Sequence, residues 1–163
     1  MKTSSPPRSL RLIDAENMAG RSQLSSSAVR AAQARLERAA PRGAADHEVV
    51  AVSGTGNARE AFYSWAGPAR FLLGKGHDGA EIALLAEVTD VEFIRSRYDR
   101  VVVASGDGRF ASAVCALRSA GVEVLVIAPK GGTARSIRKA AGSDNIVYLA
   151  SRSGAAAHAG HAA

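Results

Sequence analysis

Short apolar runs rich in Val, Ile and Leu alternate along the chain with longer stretches whose apolar positions return every three to four residues. The first pattern predicts buried strands and the second predicts helices. Strands are expected over 9–14 (S-L-R-L-I-D), 47–53 (H-E-V-V-A-V-S), 69–73, 99–105 (D-R-V-V-V-A-S), 122–128 and 145–149. Helices are expected over 28–40, 57–65, 80–95, 107–120 and 133–141. Ser25-Ser26-Ser27 supplies caps for the first helix, and Pro41-Arg42-Gly43 ends it. In the long helix 80–95, Ile82, Leu85 and Thr89 share one side, and Leu84, Val88 and Val91 widen the apolar stripe. The run over 99–105 is nearly all apolar, as a strand covered on both faces requires.

Strand and helix alternate from one end of this pattern to the other. That order implies an α/β fold, a mainly parallel central sheet with helices on both faces. Right-handed crossovers gather the loops that follow the strands on one edge. Ligands in such sheets bind at the carboxyl ends of the strands, where strand order reverses.

The chain has 163 residues, enough for one sizeable core. It is expected to divide into a disordered lead (1–8), one domain (9–149) and a flexible tail of Ala, Gly, Ser and His (150–163). His158 and His161 fall in that tail and read as solvated. No apolar run reaches the ~18 residues of a membrane span, and residues 1–8 lack the apolar stretch of a signal peptide. A cytoplasmic location follows as the expectation, with no membrane partner. The single cysteine, Cys115, excludes an internal disulfide and a thiolate zinc cluster, and reads as an inert thiol on a buried helix face. The formal net charge of +6 favours a polyanionic partner. Aromatic residues make up only 5%, so extensive base stacking is not indicated.

Against this basic background, three acids stand at predicted strand ends. Asp14 follows Leu12-Ile13, Asp107 follows the strand ending at Ser105, and Glu81 opens the helix after the third strand. The predicted topology brings all three to one rim. Converging carboxylates repel and raise one another's pKa. A hard divalent cation, Mg²⁺ or Mn²⁺, resolves that conflict, activates water and neutralises charge on a phosphoryl group. A two-metal site would hold its ions ~3.5–4 Å apart. Taken singly, Asp107 also reads as a helix-terminal charge and Asp14 as a turn former. Asp14-Ala15-Glu16 is not the D-x-D of phosphatases, and no H-E-x-x-H or P-loop occurs.

Three segments resemble motifs of the NYN domain family. Ile13-Asp14-Ala15-Glu16-Asn17-Met18 resembles its first-strand motif, an Asp followed shortly by an Asn. The segment from Lys75-Gly76-His77-Asp78 to Leu85 resembles its second, where an acid opens a helix. Ser105-Gly106-Asp107-Gly108-Arg109-Phe110 resembles its S-G-D-x-x-F motif, the most specific of the three. Residues 122–138 are similar to the family's closing strand, loop and helix, so the resemblance spans roughly 9–149. It implies a Rossmann-like, PIN-like three-layer sandwich and a metal-dependent ribonuclease site related to that of flap endonucleases. In that likeness Asp14, Glu81 and Asp107 match the metal ligands, and Asn17 matches the residue that supports the first Asp. The implied partner is RNA, with other single-stranded nucleic acid and a homodimer left open.

Two positions depart from the family pattern. Glu81 stands where many members carry Asp, and Arg109 where many carry a further Asp. Arg109 weakens a second metal site; it reads either as a contact to substrate phosphate or as a solvated side chain. Asp78 is an alternative to Glu81 as ligand. Glu87, six residues on, lies roughly 240° around the helix from Glu81 and is a secondary candidate. Ser105 reads as a hydrogen-bond partner of carboxylate or phosphate, or as a turn residue. Asn57 reads as a lining residue or a helix cap. Arg135, Arg138 and Lys139 share a helix face, either a phosphate track or a solvated surface. The rival to an endoribonuclease is a non-catalytic RNA- or protein-binding module whose metal site has degenerated.

Overall fold

The computed structural model describes residues 7–151, so the expectations for most of the lead and tail, His158 and His161 included, fall outside the described residues. Within them run β1 (Ser9–Asp14), β2 (His47–Ser53), β3 (Arg70–Gly74), β4 (Arg100–Ala104), β5 (Glu123–Pro129) and β6 (Ile146–Leu149). The helices are α1 (Ala15–Ala19), α2 (Ser26–Ala39), α3 (Thr55–Ser64), α4 (Gly79–Ala86), α5 (Val91–Arg97), α6 (Ala111–Ser119) and α7 (Arg135–Ala141). The strands form one sheet in the order β3-β2-β1-β4-β5-β6, every neighbouring pair parallel. Chain direction along the sheet reverses between β1 and β4, which makes that junction the switch point where open parallel sheets bind ligands.

Period-two alternation divides the strands between two cores. Leu10, Leu12, Val49, Val101, Val103, Val124 and Val126 face α4 to α7, where Leu84, Ile94, Phe110, Val114, Leu117 and Ile137 meet them. Ile13, Val50, Val52, Val102, Ala104 and Ile127 face α1 to α3 and pack on Met18, Val29, Leu36, Ala61 and Trp65. The central strands β1, β2, β4 and β5 are thus largely buried on both faces, while the edge strands β3 and β6 are partly exposed. No helix among the described residues is long and apolar enough to cross a membrane.

Three expectations need correction. The helix expected over 80–95 is two helices, because residues 87–90 turn. Thr89 donates its hydroxyl to the Ala86 carbonyl at 3.1 Å, and the Asp90 carboxylate accepts the Phe93 N–H at 2.9 Å, capping α5. The helix expected from Asp107 opens as a 3-10 turn over Gly108–Phe110 before α6 begins. Cys115 is exposed, since α6 buries Val114 and Leu117 and turns position 115 outward. The short helix α1 was not expected at all.

A buried charge network lies at the amino-terminal end of the sheet. Arg11 on β1 is 1% exposed and faces its register partner Glu48 on β2. Its Nε donates to Glu48 Oε2 at 3.1 Å, its Nη1 to the Ala40 carbonyl at 2.9 Å, and its Nη2 to Glu37 at 3.3 Å. Trp65 donates its indole N–H to the other Glu48 oxygen at 2.6 Å. Burial pushes the Glu48 carboxyl up, against the Trp65 hydrogen bond and the charge of Arg11.

Candidate active site

Strand β1 ends at Asp14, whose side chain is almost wholly buried and caps α1. Asp14 Oδ1 accepts the Asn17 N–H at 3.0 Å, and Oδ2 accepts the Ser105 hydroxyl at 3.2 Å. The Ser105 oxygen in turn accepts the Asp107 N–H at 3.2 Å, and Asp107 accepts the Arg109 N–H at 2.8 Å. Asn17 reaches across with its side-chain oxygen to accept the Gly106 N–H at 2.9 Å. The end of β1 is thereby stitched to the loop after β4, the two sides of the switch point. Ser105 is a partner of carboxylate and backbone; Asn17 meets Asp14 through its backbone N–H, while its side chain serves Gly106.

The third acid arrives through a close backbone approach. A Cβ on Gly74, the last residue of β3, would lie 1.9 Å from the Gly79 carbonyl carbon. Glycine at both positions lets α4 start against the sheet edge. Ser53, ending β2, accepts the Ala80 N–H on its hydroxyl at 3.0 Å. Glu81 is carried to the rim in the first turn of α4.

The carboxylates sense one another there. Burial, opposed by the Asn17 hydrogen bond and reinforced by the charges of Glu81 and Glu16, raises Asp14 from 3.8 to about 7. Glu81 is also raised, first by desolvation, then by the like charges of Asp107, Asp78 and Glu16. Glu81 is the neighbour common to all these acids. Sequence reasoning missed Glu16. Its position two residues after a strand-end acid was the available signal, but reading it required the unforeseen α1, which turns the side chain into the site.

Asp14, Glu16, Asn17, Arg21, His77 and Glu81 are among the residues lining a cavity of about 340 Å³ at this edge; Asp107 lies outside its lining. A larger cavity of about 550 Å³ opens at the opposite end of the strands, lined by His47, Glu87 and Tyr98 among others. The smaller one is the candidate site, because the coupled acids and the switch point are both there. Glu87 is corrected accordingly. It caps the far end of α4 and pairs with Arg70, away from Asp14, since a helix of eight residues spans roughly 12 Å.

Asp78 does not replace Glu81; it forms an ion pair with Arg109 Nη2 at 2.5 Å, closing the loop after β3 against the loop after β4. Arg109 is therefore a paired cation on the rim rather than a freely solvated one. Asn57 is no cap. It lies inside α3 and donates to Glu16 at 2.9 Å, to the Ser22 carbonyl at 2.8 Å and to the Ser53 carbonyl at 3.1 Å. Its side-chain oxygen accepts the Leu24 N–H at 2.9 Å. Arg135 starts α7 beside the rim, where the Ala134 N–H meets the Gly106 carbonyl at 2.9 Å. Arg138 and Lys139 sit in the last turn of α7 and are exposed, and none of the three lines the cavity that holds Asp14 and Glu81.

The residues fit a hard divalent cation in donor type and place. The donors are carboxylate oxygens, and one of them, Glu16 Oε2, is buried with no hydrogen-bond partner. Closure is not preformed: among the described residues, no three His, Cys, Asp or Glu side chains are grouped tightly enough to hold one ion. Glu81 is only partly buried.

The loop carrying Asp107 is tightly packed. A Cβ on Gly106 would meet the Gly132 carbonyl oxygen at 2.8 Å and Thr133 Cα at 3.2 Å, both backbone. Gly106→Ala is expected to cost about 1–3 kcal/mol in urea denaturation and to displace Asp107. A variant with unchanged stability would show that this loop yields freely.

Among proteins of known sequence and structure, residues 12–148 match the NYN domain family. The fold is similar to that of a protein of unknown function from Vibrio parahaemolyticus, solved by crystallography, at 17% identity and a TM-score of 0.61. That match covers 92% of this chain and 97% of the other. It bears on the fold alone. None of the curated proteins matches this chain.

Proposed function

The chain belongs to the NYN domain family, whose domains are generally nucleases, and from that premise we propose that it is a metal-dependent endoribonuclease hydrolysing RNA phosphodiester bonds. Asp14, Glu81 and Asp107 are the acids that would hold Mg²⁺ or Mn²⁺. Support comes chiefly from one observation: at the switch point of a parallel sheet, Ser105 bridges Asp14 at the end of β1 to the Asp107 backbone, and Glu81 in the first turn of α4 lines the same recess as Asp14. A bound cation of this kind lowers the pKa of water and neutralises charge building on the phosphoryl group.

The protein's own groups divide the remaining work. Asn17 N–H and the Ser105 hydroxyl fix Asp14 at both oxygens, so its direction does not depend on a ligand. Without a cation, Asp14 holds a proton near neutral pH and must release it on binding one. Arg109 and Arg135 flank the acids with positive charge on the exposed rim, where RNA phosphates would lie. The decisive assay incubates the protein with labelled single-stranded and structured RNA, with Mn²⁺ and with chelator. Cleavage that persists in chelator would remove the proposal.

A second proposal draws on the Asp78–Arg109 ion pair and on the unclosed acids. A non-catalytic module that holds RNA by salt-sensitive contacts would give binding indifferent to chelator and no turnover. In either case Arg109 contacts phosphate. Arg109→Ala is expected to weaken RNA binding across sequences and to reduce the slope of log affinity against log salt by about 0.7. An unchanged slope would mean that Asp78 keeps Arg109 from the RNA.

A further inference from the structure

We infer that Glu16 is a further ligand of the cation site, supplying an oxygen that none of the matched motifs assigns; this rests on the metal-dependent reading above. The two oxygens of Glu16 are in opposite conditions. Oε1 accepts the Ser53 N–H at 2.6 Å and an Asn57 amide hydrogen at 2.9 Å, so half of the carboxylate is anchored to the end of β2 and to α3. Oε2 is buried and has no donor. A carboxylate oxygen removed from water without a partner costs free energy that a protein ordinarily avoids.

The bare oxygen belongs to a residue lining the same cavity as Asp14 and Glu81, so three carboxylates share one recess. A water molecule in the cavity could satisfy Oε2 but would leave the mutual repulsion of the acids in place. A divalent cation satisfies the oxygen and offsets the repulsion together. Asn57 then acts as a positioning residue. By binding Glu16, the Ser22 and Ser53 carbonyls and the Leu24 N–H, it holds Glu16 Oε1 still and leaves Oε2 without a partner.

The test is Glu16→Gln in the full chain, freed of cations and titrated with Mn²⁺ alone by calorimetry, with melting curves alongside. Glutamine keeps an oxygen for the Ser53 and Asn57 bonds and places an amide where Oε2 was, which cannot ligate a cation. The expected result is Mn²⁺ affinity at least about tenfold weaker, with the melting temperature of the cation-free protein retained. If the Gln variant does not fold, Glu16→Asp carries the test, since its shorter reach must also weaken Mn²⁺ binding. Wild-type affinity in the folded variant overturns the inference and leaves the metal site standing. A wild-type chain that binds no Mn²⁺ overturns both.

Discussion

Asp14→Asn is expected to abolish Mn²⁺-dependent RNA cleavage and, at the same time, to stabilise the cation-free protein above pH 7. Loss of cleavage follows if Asp14 is a ligand, because the amide keeps the shape and forfeits the charge. The rate should fall on the order of 10³-fold, the scale for removing a principal electrostatic group from an active site. Asp107→Asn should fall as far. The gain in stability follows from the raised pKa. The folded protein holds the Asp14 proton up to about pH 7, whereas the ordinary value is 3.8. Folding therefore binds a proton between those values, and the wild type loses stability as pH rises through that window. The full loss corresponds to roughly 4 kcal/mol, an order-of-magnitude figure. An asparagine at this position has no such proton to lose, so the variant's advantage should be absent near pH 4, grow through pH 5 and 6, and level off above 7. Urea denaturation across that range, in chelator, measures it; a pH-independent difference would mean that Asp14 is charged in the fold at no cost. Substantial cleavage by either Asn variant would end the nuclease proposal.

Arg11→Met is expected to destabilise the protein by about 3–5 kcal/mol, the cost of leaving a buried charge without its partner. At about 2–4 °C per kcal/mol for a chain of this size, the melting temperature should drop by roughly 10 °C or more. The group that loses its nearest cation is Glu48, whose side chain is fully buried and already raised by burial, leaving it Trp65 and the more distant Arg42 at 3.7 Å. Without the guanidinium, Glu48 is raised further and keeps its proton to higher pH. The deficit should therefore be smaller at pH 5 than at pH 8. The double variant Arg11→Met, Glu48→Leu should recover much of the loss, because an apolar pair of similar volume often replaces a buried ion pair without penalty. A single variant within 1 kcal/mol of wild type at pH 8 would show that solvent reaches Glu48 readily.

Much of the fold was legible because the signals are local. Each apolar run is bounded by turn residues, and the run over 99–105 declares a strand covered on both faces. Asp14, Glu81 and Asp107 could be assigned to one rim because strand ends are readable and crossover handedness is fixed. Where sequence reading failed, a side-chain bond to the backbone or a tertiary contact competed with the hydrophobic period. The apolar stripe of 80–95 continues through Val88, yet the Thr89 and Asp90 side chains take over the backbone bonds and divide the helix. Arg11 alternates with Leu10 and Leu12 as a solvent-facing residue would, and only a second sheet face covered by α2 buries it.

By itself, then, the sequence determined the order of strands and helices, the parallel sheet and the edge to which strand-end residues belong, since periodicity and turn chemistry act between near neighbours. Only the tertiary structure decided which side chains share that rim. It brought in Glu16 and Asn57, sent Glu87 to the opposite end of the sheet and tied Arg109 to Asp78. The reason is physical: a charged residue shows its role through the partners and burial it finds, and those come from segments far away in the chain.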